Sequence, residues 1–432
     1  MVIKKQNNYS LKRLYKKDFR LNIRFPILLL VILHFGCSQE KSSPKFATDK
    51  LETLVIDKIP SSKKYNLSAL CTDIQYVQLD TAYNVFFLNT GYDKIVLDNT
   101  LFTLDDKSGC RAFDINSGKQ TLDLNIIGLG PNEVVAPNSF YLDKKMGRIE
   151  IFDARKRDLV FFDLNGKFLE RIDFSSNVFF VNFSKTRAGE YLFYTGNHIN
   201  VIDKEPVYES VIFSDAAFNI TKSFFPVSPE LSRFQTSSDH HFIVTDDAVL
   251  FRHFPGNTLY DISGGEPRPI LNLDFKDRNI PQSILKNEKG YGTKDYIEGL
   301  KEKGYCAGIS FYNENDAYQL MSFIAFEEFV HYYILRNKGT GHYQWFRKDN
   351  FVNDIDGGIV GDIIHLDNDR IIMIIEPYLL WYHAQMLKQS QLSVEASRAF
   401  ELLNEISYKG KEGNPILMIG KLKKSNQVVA SQ

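Results

Sequence analysis

The chain has 432 residues, of which 44% are hydrophobic and 24% charged, a composition typical of a globular protein with a sizeable core. Its formal net charge of −1 gives no electrostatic reason to expect nucleic acid as a partner. Aromatic residues make up 13%, with 34 Phe and 22 Tyr, and such side chains favour β-strands.

The N-terminus reads as an export signal. Residues 1–24 are rich in Lys and Arg and contain one acid, Asp18. The segment from Phe25 to Phe35 is almost entirely apolar but shorter than the roughly 20 residues that span a bilayer as a helix. A basic lead followed by a short apolar run and small residues is typical of a secretory signal, so we predict a signal peptide over 1–36. An uncleaved membrane anchor is the alternative.

The residues after the apolar run predict lipid attachment. Gly36-Cys37-Ser38 resembles a lipobox, in which the cysteine thiol is lipidated and cleavage makes that cysteine the new N-terminus, although Leu33 lies one position further away than is usual. The polar stretch behind Cys37 reads as a flexible tether, and we assign residues 37–72 to this tether and a lead-in. The remaining Cys71, Cys110 and Cys306 fit neither a zinc site nor a redox pair. Two alternatives are left for these three cysteines: one disulfide forms among them, or all three are buried free thiols.

From residue 74 the chain alternates short apolar strands with turn residues, as in a sandwich, barrel or propeller. Two units, near 94–124 and 140–172, each hold four short strands, the plan of a propeller blade. More degenerate units follow near 178–225, 240–275, 308–350 and 358–380. We therefore predict an all-β fold, a six-bladed β-propeller over residues 73–424.

Two helical insertions interrupt the β pattern, near 293–303 and 382–407. The second has an apolar stripe that is typical of a helix packed on its own domain, formed by Leu392, Ala396, Ala399, Leu403 and Ile406. The strand Pro415–Leu422 comes near the end of the sequence. Closing a propeller ring pairs strands from the two ends of the chain, which leaves no open edge.

Four segments resemble the six-bladed β-propeller lipoproteins of Bacteroides-type bacteria, whose blades are similar to NHL repeats. They are the opening strand Ile74-Gln-Tyr-Val-Gln-Leu79, the inter-blade segment Ile126-Ile-Gly-Leu-Gly-Pro-Asn-Glu133, the hairpin Val160-Phe-Phe-Asp-Leu-Asn-Gly-Lys-Phe-Leu169 and the closing strand Asn414-Pro-Ile-Leu-Met-Ile419. The Asn-Gly pair within the hairpin predicts a two-residue turn with both residues at positive φ. The resemblance implies a fold and an exported location, but it does not indicate a substrate.

No motif predicts catalytic, cofactor-binding or metal-binding residues. Gly128–Glu133 lacks the Lys-Ser/Thr and the following helix of a phosphate loop, so we interpret it as a turn. His240 and His241 are neighbours and would point to opposite faces of a strand. An ion held by several blades in the axial channel, or carboxylates from distant segments, would leave no trace in sequence spacing.

Two surface features suggest contacts with a partner. The basic loop Arg155-Lys156-Arg157 falls between two strands, where propeller rim loops commonly make contacts. Trp345, with Tyr343 and Phe346, could stack on a sugar or a peptide, although packing within a blade explains such a cluster more simply.

The sequence thus favours a lipid-anchored, non-enzymatic binding or scaffold protein of the outer membrane, on its periplasmic or surface face. Its partners would be the membrane, through the lipid, and an envelope protein or glycan. The alternative is an envelope hydrolase or lyase whose active site is assembled from several blades around the axis. The fold alone cannot choose between these classes.

Overall fold

The computed structural model describes residues 51–57, 64–80, 93–106, 109–174, 178–202, 204–227, 241–245, 248–253, 255–285, 294–367, 369–389 and 415–423. The predicted signal peptide, the lipidation site Cys37 and residues 390–407 of the second predicted helix lie outside these ranges. Among the helices of the described residues, none has the length and apolar character needed to cross a membrane.

Six of the sheets in the described residues are the blades of a β-propeller, as predicted. Three strands precede the first blade: β1 (Glu52–Val55), β2 (Tyr65–Asn66) and β3 (Cys71–Gln78). Blade 1 contains β4 (Asp93–Leu97), β5 (Thr100–Asp105), β6 (Gly109–Asp114) and β7 (Gln120–Leu124). Blade 2 contains β8 (Pro137–Asp143), β9 (Arg148–Asp153), β10 (Asp158–Asp163) and β11 (Phe168–Asp173).

The next two blades carry additions. Blade 3 contains β12 (Asn182–Lys185), β13 (Tyr191–Tyr194), β16 (Glu209–Ser214) and β17 (Ile220–Pro226), and a separate hairpin of β14 (Asn200–Ile202) and β15 (Glu205–Val207) interrupts it. Blade 4 contains β18 (Phe242–Val244), β19 (Val249–Arg252), β20 (Thr258–Asp261) and β21 (Arg268–Asp274), with β1 as a fifth strand.

The last two blades complete the ring. Blade 5 contains β22 (Cys306–Glu314), β23 (Tyr318–Ala325), β24 (Val330–Asn337) and β25 (Tyr343–Arg347), and the short β26 (Phe351–Val352) follows it. Blade 6 contains β27 (Asp362–Leu366), β28 (Arg370–Ile375), β29 (Ile416–Leu422) and, as its outermost strand, β3. The predicted unit 358–380 thus covers only the first two strands of this blade.

Burial on both faces explains why the inner strands of the blades are continuous apolar runs in the sequence. In β10 every residue from Asp158 to Phe162 is buried, since neighbouring blades cover both of its faces. The outermost strand of the same blade, β11, is mostly exposed or half-buried. The core is accordingly divided into separate apolar clusters, one at each of the six junctions between neighbouring blades.

In the described residues, three α-helices lie in two long connections. Between blades 4 and 5 are α1 (Gln282–Leu285) and α2 (Lys294–Glu302), the latter inside the predicted range 293–303. Leu300 of α2 is buried against Ala307 and Phe326. The third helix, α3 (Pro377–Gln389), follows β28 and begins before the predicted residue 382.

The ring closes through strands from both ends of the chain, as predicted. β29 lies between β28 and β3, and Ile416 is opposite Gln78 in the antiparallel register. The amide of Lys423 donates to the carbonyl oxygen of Leu70 at 2.9 Å. Since β3 is joined to its blade only by these non-covalent contacts, they hold the ring shut.

The lead-in before β3 also belongs to the ring. β1 pairs in parallel with β21, and β2 pairs in parallel with β26. Glu52 forms an ion pair with Arg336 of blade 5 at 2.5 Å, and the Tyr65 ring stacks on Phe346 with centroids 4.3 Å apart. β1 and β2 therefore attach to blades 4 and 5 and to β26, although the sequence analysis assigned these residues to the tether and lead-in.

The Asn-Gly hairpin in blade 2 is present, but its predicted turn type is wrong. Only Gly166 has positive φ, at +86°, whereas Asn165 does not. The carboxylate of Asp163 accepts the amides of Asn165 and Lys167, both at 2.9 Å, and the register shifts between Phe161 and Phe162. The aspartate thus builds a longer turn with a glycine at its left-handed position.

Gly118→Ala is expected to lower the free energy of unfolding by about 1–3 kcal/mol more than Gly147→Ala. Both glycines have positive φ, at +71° and +62°. A Cβ at Gly118 would lie 2.0 Å from the carbonyl oxygen of Gln78, at the ring closure, whereas a Cβ at Gly147 meets nothing within 4 Å. Urea unfolding of both variants measures the difference, and equal losses would show that the closure tolerates the methyl group.

Candidate functional site

The two faces of the ring differ in their connections. In a four-stranded antiparallel blade, the loop from second to third strand and the connection to the next blade emerge on one face, which we call the long-loop face. It carries the connections Phe275–Tyr305 and Glu376–Pro415. The opposite face carries tight turns such as 98–99, 144–147 and 186–190. Binding residues are disproportionately found on loops held by a rigid scaffold, so the long-loop face is the candidate binding face.

The glycine-rich segment between blades 1 and 2 lies on this face and is a turn, as predicted. The Glu133 carboxylate accepts the Gly130 amide at 2.6 Å. A Cβ at Gly128 would lie 2.0 Å from Glu133 Oε2, so the glutamate side chain folds directly over this glycine. The segment leads into strand β8 and not into a helix, which is the wrong context for a phosphate loop.

The basic loop of blade 2 is built around a buried carboxylate. Asp153 is fully buried and accepts the backbone amides of Val135 at 2.8 Å, Arg155 at 3.0 Å and Lys156 at 3.1 Å. The Lys156 ammonium donates to the carbonyl oxygens of Gly130 and Glu133, at 3.3 and 3.1 Å. Lys156 therefore binds the loop to the glycine-rich turn, while the Arg155 side chain is exposed.

Arg157, the third residue of the basic loop, lines a cleft between blades 2 and 3. The cleft has a volume of about 410 Å³. Its walls are mainly apolar and come from Phe152, Ala154, Val178, Phe179, Ile199 and Val201. The guanidinium of Arg157 donates through Nη2 to the carbonyl oxygen of Val178 at 3.2 Å, which fixes it at the wall.

The lining of the cleft also includes an aromatic pair. The rings of Phe179 and His198 are 4.5 Å apart between centroids. The side-chain amide of Asn200, in β14, accepts the backbone N–H of Phe179 at 2.5 Å and donates to the Phe179 carbonyl oxygen at 3.1 Å. Asn200 therefore holds Phe179 in place. Phe179 is 40% exposed and Val201 52% exposed. Large apolar side chains thus stay open to solvent beside a fixed cation.

The predicted contact residue Trp345 lies elsewhere in the ring. It is on β25 of blade 5, half-buried, with its ring stacked on Tyr343 at 5.6 Å. Both residues pack against the cluster between blades 4 and 5. The structure therefore does not bring Trp345 together with the basic loop.

A second constellation joins blades 2 and 3, at the ends of strands β8 and β12. The Lys185 ammonium contacts Asp143 at 3.0 Å and also bonds to Glu150. Glu150 is fully buried and also accepts from Arg148 Nε at 2.8 Å and from the Tyr191 hydroxyl at 3.1 Å. We call these five residues the charge clamp.

The charge clamp is satisfied internally. Burial opposes ionisation of Asp143, but the bonds from Lys185 and Met146 outweigh it and hold the pKa of this carboxyl below its usual range. Burial, with the nearby Glu150 charge, raises the pKa of Tyr191 well above normal. Because Lys185 and Asp143 are also buried, a substrate could not reach these groups without separating the blades.

The three cysteines of the described chain are all buried and free, which decides between the two alternatives left open by the sequence. Burial raises the thiol pKa to about 12 in Cys71 and Cys110 and to about 11 in Cys306. Thiols in this state are poor nucleophiles at neutral pH.

Histidines and acids do not gather into a metal site in the part of the chain that the structure describes. His253 of blade 4 approaches Asn197 of blade 3 at 3.1 Å, and burial lowers its pKa to about 4. It is thus a neutral residue of the blade junction at physiological pH. His240 lies outside the described residues, whereas His241 is buried, with Nδ1 3.0 Å from the Arg252 carbonyl oxygen.

Comparisons with known proteins agree with this fold. A family model described as "Domain of unknown function (DUF4934)" matches residues 52–421. None of the curated proteins compared with the chain matches it. A Bacteroides fragilis protein named "Putative exported protein" has a similar structure, with a TM-score of 0.65 and 17% identity over 87% of this chain and 100% of that chain.

Two further solved structures are less similar. A DUF4221 family member from Bacteroides vulgatus has a TM-score of 0.48 and 11% identity, over 82% of this chain and 97% of that one. Virginiamycin B lyase from Staphylococcus aureus has a TM-score of 0.32 and 10% identity, over 70% of this chain and 81% of that one. Likenesses at these levels transfer no activity to this chain.

Proposed function

Because the chain belongs to the DUF4934 family, whose description names no function, we propose from its own geometry that it is a non-enzymatic binding protein of the cell envelope. In this proposal the chain is exported, Cys37 carries a lipid, and the ring is held at the outer membrane by the tether behind it. The similarity of the blades to NHL repeats belongs to the same proposal and rests on the sequence.

The observation that carries the binding role is the cleft between blades 2 and 3. It opens on the long-loop face, and it combines exposed apolar side chains, Phe179 and Val201, with the fixed Arg157. Pockets that are mostly apolar with a few placed polar groups are typical of ligand sites. A partner protein or a glycan of the envelope would cover these side chains.

The enzyme alternative receives less support from the described residues. A hydrolytic site needs acids or bases that reach the substrate. The charge clamp groups acidic and basic side chains closely, but Glu150 is fully buried and the members of the clamp bond to one another. The cleft, which is open, offers a cation and an imidazole but has no carboxylate among its lining residues.

A photo-crosslinking residue in place of Val201 tests the proposed site in living cells. We expect ultraviolet light to join the protein to an envelope component when the probe stands at Val201. The matched control replaces Leu164, which is 41% exposed in a tight turn outside the cleft, and should give no such adduct.

In the same cells, Cys37→Ser should move the protein from the membrane to the soluble fraction.

Equal adducts from both positions, or none from Val201, would contradict the cleft as a binding site. Turnover of a small substrate by the purified protein, abolished when Phe179 is replaced by Asp, would replace the binding role with the enzyme alternative.

A further inference from the structure

Resting on the proposed function, we propose that the ligand of the cleft is the C-terminal end of an extended polypeptide. Its last, apolar side chain would enter the cleft, and its carboxylate would lie at Arg157. Three features of the described residues support this ligand class: the charge of the cleft, the edge of strand β14 and the size of the cavity.

The charge of the cleft is one-sided. Arg157 and His198 are its ionisable lining residues, and none of the lining residues is acidic. Asp153 comes close in sequence, but its side chain is fully buried beneath the loop and accepts backbone amides there. A guanidinium held at an apolar wall favours a carboxylate, because charge-assisted hydrogen bonds are stronger than neutral ones.

Strand β14 offers a backbone edge beside the cleft. In an antiparallel pair, opposite residues either exchange two backbone hydrogen bonds or none. Val201 is opposite Pro206, which has no N–H, so this is the pair without hydrogen bonds. The N–H and C=O of Val201 therefore point away from β15, toward the edge where β14 has no further strand among the described residues.

An extended peptide uses both features at once. Its backbone can add to the β14 edge, as in strand addition, while its terminal residue reaches the apolar walls and the cation. Val201 belongs both to the edge and to the lining of the cleft, so the two contacts adjoin. A cavity of about 410 Å³ suits one or two apolar side chains. A small apolar acid would leave the strand edge unused.

Fluorescence anisotropy with the purified mature protein tests this ligand class. The probe is the hexapeptide Thr-Val-Thr-Val-Ser-Phe, labelled at its N-terminus, with a free carboxylate or as the C-terminal amide. We expect the free acid to bind at least about tenfold more tightly than the amide, the loss of one charge-assisted hydrogen bond. Arg157→Gln should remove this preference, whereas Arg155→Gln, in the same loop but exposed, should keep it.

A second variant tests the strand edge. Val201→Pro removes the outward N–H and the valine side chain of the cleft wall, whereas Val201→Ala shortens the side chain and keeps the N–H. The proline variant should therefore weaken both peptides further than the alanine variant does, by a similar factor for each. Equal binding of acid and amide, or an Arg157→Gln variant that keeps the preference, would overturn the C-terminal proposal. Crosslinked adducts from the Val201 probe without any peptide binding would also overturn the C-terminal proposal, but they would still support the binding role of the cleft. If neither the crosslinking nor the anisotropy experiment shows binding, the binding role and the C-terminal proposal are both rejected.

Discussion

Replacing Lys185 with methionine is expected to lower the free energy of unfolding by about 3–5 kcal/mol, because it removes one partner of a buried ion pair. The Lys185 ammonium bonds to Asp143 and to the fully buried Glu150 across the junction of blades 2 and 3. Without it, Glu150 keeps Arg148 and Tyr191 but loses its only cationic partner from blade 3 among the described contacts. Urea unfolding at pH 7, followed by tryptophan fluorescence and circular dichroism, measures the loss.

Lys222→Met is the matched control for this variant. Lys222 also belongs to blade 3 and lies 3.7 Å from Glu190, but both side chains are about one-third exposed. Exposed pairs contribute about 0–1 kcal/mol, so this variant should unfold almost as the parent does. Similar losses in the two variants would mean that the clamp does not join the blades more strongly than a surface pair.

Asp143 of the charge clamp contributes to the loss of stability in acid. The pKa of Asp143 is lower in the folded protein than in the unfolded chain, so its contribution to stability is present above the unfolded pKa. That contribution is lost as the pH falls from about 5 through the folded pKa. Melting temperatures between pH 6 and 3 should therefore fall less steeply for Asp143→Asn than for the parent. Parallel curves would contradict this role.

Leu417→Asp is expected to prevent stable closure of the ring. Leu417 is fully buried in β29, within the cluster between blades 6 and 1 that includes Val77 and Ile372. The change loses about 2–3 kcal/mol of apolar burial and places a carboxylate in an apolar cluster, which costs several kcal/mol more. Against a typical total of about 5–15 kcal/mol, the combined loss should leave much of the protein unfolded.

The control for closure is Lys421→Gln on the same strand. Lys421 is exposed, so its replacement should change the free energy of unfolding by less than about 0.5 kcal/mol. Far-ultraviolet circular dichroism and a protease digest of both variants report whether the ring forms. A folded, protease-resistant Leu417→Asp protein would show that closure does not depend on the apolar side chain at position 417.

The pattern of short apolar strands and turn residues explains why the propeller could be predicted from the sequence. Blades 1 and 2 carry buried runs such as Asp158–Phe162, separated by turns rich in Asp, Asn and Gly, and these signals are local. The closing strand could be read for the same reason, since Ile416–Ile419 is a continuous apolar run. The Asn165-Gly166 turn type was missed because Asp163, two residues earlier, takes part in the turn.

The cleft, in contrast, could not be predicted from the sequence. Of its lining residues, only Arg157 was singled out from the sequence, and it was grouped with Arg155 and Lys156, which have different surroundings. Phe179 and His198 carry no motif, because their contact depends on a hairpin held by Asn200. The charge clamp was missed as well, since Glu150 and Lys185 come together only where two blades meet.

By itself the sequence determined the all-β class, the six blades and the pairing of the chain ends, because alternation of apolar residues and turn chemistry act over a few residues. The tertiary structure decided which residues meet: those of the cleft and of the charge clamp, the buried free cysteines, and the pairing of β1 with β21 and of β2 with β26. Such contacts depend on the placement of one blade against the next. That placement is set by the packing of whole apolar clusters, which no short sequence pattern encodes.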